Sequence, residues 1–150
     1  MVIQATFTTT ATPEDVFRHL VVPEAWAAWG RFPTGAKQGR EGDTTRYGIG
    51  AVRVLWPVRE QTVVYEPSTH YAYVALSGLP VRRYRGDVHL EARDPGTHVR
   101  WLAEFEPLIP GTRPLLRLWY RLMLPAFARW LPAHLEKCPP GCPARRAAEF

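Results

Sequence analysis

Near residue 110 the hydrophobic period of this chain switches from two residues to about 3.6, and that single switch narrows the fold more than anything else in the sequence. Upstream, residues 31–105 are broken into short runs rich in Val, Tyr, Trp and Thr by Gly and Pro at closely spaced positions. Strands are predicted over 46–55, 59–65, 70–77, 82–92 and 97–106, joined by turns such as Glu66-Pro67-Ser68 and Asp94-Pro95-Gly96. Strands so close in sequence pair as an antiparallel meander. Downstream, a helix is predicted from about 113 to 136, about 35 Å long at 1.5 Å per residue. Thr112 is its expected cap, and Pro114 fits the first turn. Leu116, Trp119, Met123, Phe127 and Trp130 centre one face of it, and Arg117, Arg121 and Arg129 the opposite arc. Pro125 and Pro132 fall in that polar arc, where kinks are expected.

Alternation within the strands sets which face is dry. Val99, Trp101, Ala103 and Phe105 share one side, as do Tyr84, Gly86, Val88 and Leu90, while charged residues and histidines occupy the other, with Leu102 the exception. Residues 70–77 are apolar on both faces. Ahead of the meander, residues 3–9 read as a strand, and Thr12-Pro13-Glu14-Asp15 as the capped start of a short helix buried through Val16, Phe17 and Leu20. A second short helix starts at Pro23-Glu24, carries Trp26 and Trp29, and stops at Gly30. The order strand, two short helices, meander, long helix makes an α+β domain. A strongly twisted sheet of six or seven strands curves, and a straight helix cannot touch a curved surface everywhere. The space left between them is a cavity unless large side chains fill it, and both readings stay open for each aromatic ring.

Residues 1–137 form one domain, without repeats or a dividing linker, and 138–150 read as an irregular tail. At 150 residues the chain can bury a core without a metal or disulfide. The formal charge is +5, with Arg supplying all the basic residues except Lys37 and Lys137. They are dispersed among acidic residues, densest at Arg82, Arg83 and Arg85, so no nucleic-acid partner is expected. No stretch of 18 uninterrupted apolar residues occurs and the N-terminus lacks a leader pattern, so a cytoplasmic chain without stable membrane insertion is expected. Cys138 and Cys142 sit in Cys-Pro-Pro-Gly-Cys-Pro with only His134 close in sequence, which leaves a zinc site incomplete; no metal and no cofactor are expected. A homodimer is compatible with the sequence.

The chain resembles the SRPBCC group, also called START-like or birch-pollen-allergen-like, in its bacterial polyketide cyclase/dehydrase branch. The resemblance rests on Ala-Thr-Pro-Glu-Asp-Val-Phe, Val-Pro-Glu-Ala-Trp-Ala-Ala-Trp, Val-Val-Tyr-Glu-Pro-Ser-Thr-His-Tyr-Ala-Tyr, Tyr-Arg-Gly-Asp-Val-His-Leu and Gly-Thr-His-Val-Arg-Trp-Leu-Ala-Glu-Phe, in that order over residues 2–137. It implies a helix-grip fold, a curved antiparallel sheet around a long C-terminal helix. It also implies a hydrophobic small molecule, lipid-like or polyketide, held between sheet and helix, with cyclase or aromatase chemistry as the alternative. No catalytic set carries over.

The ligand-binding residues expected from the faces are Tyr73, Arg82, Tyr84, Trp101, Phe105, Trp119, Met123, Phe127 and Trp130. Arg82 has the inward parity of Tyr84, and with Tyr73 it could bind a carboxylate or enolate oxygen; the alternative is that it reaches water at the rim. His134 is placed at the pocket mouth, and Glu60, Glu104 and Glu106 on the wet face. His19, His70, His89 and His98 have no partner that sequence identifies. Neither a serine-nucleophile motif nor a phosphate-cradling glycine loop is present. A third reading is peripheral association with a membrane or partner through the basic amphipathic segment 115–124.

Overall fold

The computed structural model describes residues 2–30, 32 and 35–147. The elements run β1 (Val2–Thr9), α1 (Pro13–Val21), α2 (Pro23–Gly30), β2 (Lys37–Arg40), β3 (Val52–Leu55), β4 (Val58–Glu66), β5 (His70–Ser77), β6 (Val81–Ala92), β7 (Thr97–Pro107), α3 (Arg113–Glu136) and α4 (Pro143–Arg146). All seven strands join one antiparallel sheet in the order β1-β7-β6-β5-β4-β3-β2, so the first strand pairs with the last and the meander fans out from there. This is the helix-grip arrangement that the family resemblance implies, with α3 spanning the residues the period switch predicts.

Local signals act as their chemistry requires in α1, where Thr12 Oγ1 accepts from the Asp15 backbone N–H at 3.2 Å and Pro13 opens the helix. At α3 the expected cap fails. Thr112 has helical backbone angles and its hydroxyl donates to Ile109 O at 2.6 Å instead. The helix continues through Pro125 and Pro132 to Glu136.

Two strand expectations need correction. Residues 42–51 are turns rather than the start of a strand: Gly42 N–H bonds to Arg46 O, Asp43 N–H to Ile49 O, and Gly50 sits at φ +90° against the Asp43 carboxylate. Strand β3 therefore begins only at Val52. Its neighbour β2, Lys-Gln-Gly-Arg, carries no apolar residue and left no periodic trace in the sequence.

The helix also lies rolled from its expected orientation. Its buried face is Leu116, Tyr120, Leu124, Phe127, Leu131 and Leu135, while Trp119 is 56% exposed. Tyr120 causes the roll, because its ring stacks on Tyr84 (centroids 5.1 Å apart, 16° between planes) and packs on Phe105 at 4.5 Å. With Tyr120 seated on the sheet, Trp119, Met123 and Trp130 move to the helix flank. Since α3 packs chiefly across β1 and β7, that flank overhangs β3 to β5, where nothing fills the concavity completely.

The segment after α3 is less irregular than expected. Cys142 and Ala144 are buried, and α4 packs on α1 and α2. Among the described residues, no helix is long and apolar enough to cross a membrane.

Candidate functional site: an aromatic pocket with a buried ion pair

The overhang encloses a cavity of ≈ 420 Å³, in the size range of small-molecule sites. Its walls are Trp26 and Phe32 on one side, Leu55, Val58, Leu79 and Tyr84 along the sheet, and Tyr120, Met123, Phe127 and Trp130 on α3. Trp56 and Trp119, both largely exposed, stand at its mouth.

The cavity floor is polar at one place. Arg53 and Glu60 are directly opposite each other in the β3–β4 register, and both point to the concave side. Arg53 Nε donates to Glu60 Oε1 at 2.9 Å, Nη2 lies 2.9 Å from the same oxygen, and Nη1 donates to Leu20 O at 3.3 Å. The guanidinium lies over two rings set at right angles, 3.7 Å from the centroid of Trp26 and 4.4 Å from that of Tyr73. Arg53 thus sits behind, while Glu60 reaches the cavity surface. Burial holds the Glu60 carboxyl above the usual carboxylate range, with Arg53 pulling the other way.

Glu60 corrects the expectation of a solvated wet-face charge: it is 5% exposed. Charge explains the miss: a lone Glu reads as solvated until its partner is known, and Arg53 is brought opposite it only by the unbroken β3–β4 register. Arg82 needs correction too, since it does not line the cavity: the β6–β7 register shifts between Val81 and Arg83, and Arg82 is exposed.

Above the ion pair stand three phenols. Tyr73 Oη accepts from Trp101 Nε1 at 3.1 Å and from the Tyr84 hydroxyl. Gly86 lies opposite Tyr73 in β6, and a Cβ there would overlap the Tyr73 ring, so the glycine makes room for it. The Tyr120 hydroxyl is buried and has no hydrogen-bond partner among the described residues. Burial raises the pKa of all three, so they stay neutral at ordinary pH.

Of the residues expected from sequence, Tyr73, Tyr84, Trp119, Met123, Phe127 and Trp130 line the cavity. Trp101 and Phe105 are core behind its wall, and Arg82 is elsewhere. Sequence reasoning missed Trp26, Arg53, Glu60 and Tyr120. An Arg and a Glu seven residues apart on either side of Trp56-Pro57 were the available signal for the pair, readable only once the hairpin register is known.

Away from the cavity, His70, His19 and His134 find polar partners. His70 Nε2 lies 2.8 Å from Asp87 Oδ1. His134 does not line the mouth but meets His19, Cys138 and Cys142, four residues whose ligand atoms all lie within 4.8 Å of one another. The missing partner of the His134–Cys138–Cys142 run is therefore His19, distant in sequence and close in space.

Comparison with known proteins agrees with this architecture. Residues 1–137 match the family model described as polyketide cyclase/dehydrase and lipid transport. No curated protein matches. Among solved structures, a START superfamily protein from Mycobacterium smegmatis superposes with TM-score 0.74 at 13% identity, covering 92% of this chain and 99% of that one. The protein MLL2253 from Mesorhizobium loti gives 0.70 at 16%, covering 93% and 99%. Norcoclaurine synthase from Thalictrum flavum, in complex with dopamine and hydroxybenzaldehyde, gives 0.63 at 12%, covering 93% and 88%. At these identities the likeness is one of fold.

Proposed function

The chain belongs to the polyketide cyclase/dehydrase and lipid transport family, and from that premise we propose that its cavity binds a hydrophobic small molecule carrying a hydrogen-bonding group at one end. The observation that carries this reading is Tyr120. A buried hydroxyl without a partner costs about 1–3 kcal/mol. Here it stands in the wall of an otherwise largely apolar cavity, where a ligand carbonyl or hydroxyl would satisfy it. The rings of Trp26, Phe32, Phe127 and Trp130 suit a flat aromatic or fused-ring body.

A test uses 2-naphthol, a planar aromatic with one hydroxyl, followed by quenching of tryptophan fluorescence. Wild-type chain should bind it. Leu79→Trp, which fills the cavity, should abolish binding, and Tyr120→Phe should weaken it about three- to tenfold while leaving naphthalene binding unchanged. Equal affinity in Leu79→Trp sinks the reading.

Glu60 favours a second reading, cyclase or aromatase chemistry in the same cavity. A carboxyl held above its usual range by burial, beside neutral phenols, can take a proton from an activated carbon and give one to an oxygen. Turnover of a polyketide-like substrate lost in Glu60→Gln, with naphthol affinity retained, would support it; unchanged turnover would exclude Glu60 as the base. The surface around the mouth bears on delivery rather than reaction. Leu115, Leu118, Trp119 and Leu122 project from α3 with Arg117 and Arg121 between them, an arrangement suited to transient contact with an anionic lipid surface. Flotation with anionic vesicles, lost in Leu118→Asp/Leu122→Asp, tests that contact.

A further inference from the structure

We propose that His19, His134, Cys138 and Cys142 form a four-ligand zinc site that fastens the C-terminal segment to α1 and to the end of α3. The four come from three places. His19 is on α1, His134 is in the last turn of α3, and the cysteines flank the Pro139–Cys142 turn, closed by Cys142 N–H to Pro139 O at 3.1 Å. The spacing His-x3-Cys-x3-Cys brings three donors into one loop, and the fold supplies the fourth.

Geometry carries the assignment. Tetrahedral zinc with Zn–N of about 2.0–2.1 Å and Zn–S of about 2.3 Å holds a nitrogen and a sulfur about 3.6 Å apart. His19 Nε2 lies 3.3 Å from Cys138 Sγ and 3.7 Å from Cys142 Sγ, and His134 Nε2 lies 3.5 Å from Cys142 Sγ. The cluster is therefore already close to the dimensions of a filled site.

The surroundings are those a ligand set needs. His19 Nδ1 donates to Asp15 O at 2.7 Å, which fixes the tautomer and turns the Nε2 lone pair toward the sulfurs. Burial pushes the metal-free Cys142 thiol up. Arg145 Nε donates to Cys138 Sγ at 3.2 Å and the backbone N–H groups of Ala144 and Arg145 donate to Cys142 Sγ, contacts that would support the sulfurs once a cation replaces their protons. Binding Zn²⁺ displaces the two thiol protons, and two thiolates with two neutral imidazoles make a site of zero net charge. That neutrality suits a place where His19 and Cys142 are buried. Two sulfurs and two imidazole nitrogens select zinc over harder cations, and four protein ligands leave no open position, so the role is structural. The other histidine cluster, His70, Asp87 and His89, differs: Arg85 already holds the Asp87 carboxylate through two hydrogen bonds of 2.9 and 3.2 Å.

Titration of the reduced, metal-free full chain with Co²⁺ tests the site. Intense visible d–d bands and sulfur-to-cobalt charge transfer, complete at one equivalent and erased by one equivalent of Zn²⁺, are expected. Zinc affinity should fall at least tenfold in His19→Gln and far more in Cys138→Ser/Cys142→Ser. Absence of tetrahedral cobalt bands in the wild-type chain overturns the proposal whether or not the variants fold. So does an unchanged spectrum in the double variant, or a Cys138–Cys142 pair that, once reduced, takes up no zinc.

Discussion

The chain takes ionisable groups out of water in two regions, and it handles them in opposite ways. At the cavity floor, Arg53 and Glu60 meet across one hairpin, opposite charges at 2.9 Å, with rings covering the guanidinium. At the far end of α3, His19, His134, Cys138 and Cys142 converge with no charge among them to cancel, four lone-pair donors facing one point. In the first region each charge already faces its counter-charge, and a ligand needs to add only a contact to Tyr120 or Glu60. The second is a set of donors whose natural complement is a cation. One is suited to recognising an organic molecule, the other to holding the fold together.

The difference is sharpest where one partner is removed. Glu60→Leu leaves Arg53 as an unpaired buried charge and should cost about 3–5 kcal/mol in urea unfolding, whereas Arg53→Met/Glu60→Leu should recover most of that loss. In metal-free protein, His134→Ala removes only a half-buried neutral side chain and should cost about 1 kcal/mol. If the two single variants prove equally damaging without metal, the contrast between a paired and an unpaired region fails.

A smaller effect is expected at Gly86→Ala, where the new methyl displaces the Tyr73 ring: about 1–3 kcal/mol, with weaker naphthol binding because Tyr73 lines the cavity. Trp119→Ala at the mouth should leave stability within about 0.5 kcal/mol yet lower naphthol affinity several-fold, separating lining from core.

A pH measurement isolates a third polar group, outside both regions. Burial works to raise the Asp87 carboxyl, but hydrogen bonds from Arg85 and His70 outweigh it and hold the pKa below its ordinary 3.8. The unfolded chain then binds the proton first. Asp87 contributes stability that is present above 3.8 and is lost as pH falls through the lower folded value. Asp87→Asn should flatten the acid limb of the stability curve below pH 3.8 and leave the neutral region's shape unchanged. Smallest of all, Arg82→Ala should alter neither unfolding nor naphthol binding, since its side chain is exposed and does not line the cavity.

Much of the fold was legible because hydrophobic period is a local property. The helix at 113–136, the strand at 70–77 and the capped start at Thr12-Pro13 all announce themselves within a few residues. The site was legible only where alternation held without interruption, as at Tyr84, and on the helix flank at Met123 and Phe127. Glu60 was hidden because a charged residue reads as solvated until its buried partner Arg53 is known, and Arg82 because the β6–β7 register shifts beside it. Tyr120 was hidden for another reason: its ring decides how α3 rolls, yet its polar tip keeps it out of a hydrophobic stripe. The His–Cys cluster needed a contact between residues 19 and 138, which no local pattern encodes.

Native mass spectrometry with organic extraction, on freshly purified wild type and Leu79→Trp, tests occupancy of the cavity most directly. One small apolar molecule per chain in the wild type, absent from the variant, is the expected result. A wild-type chain that carries nothing and also excludes 2-naphthol, or a variant that carries the same molecule equally well, would contradict a binding cavity between sheet and helix.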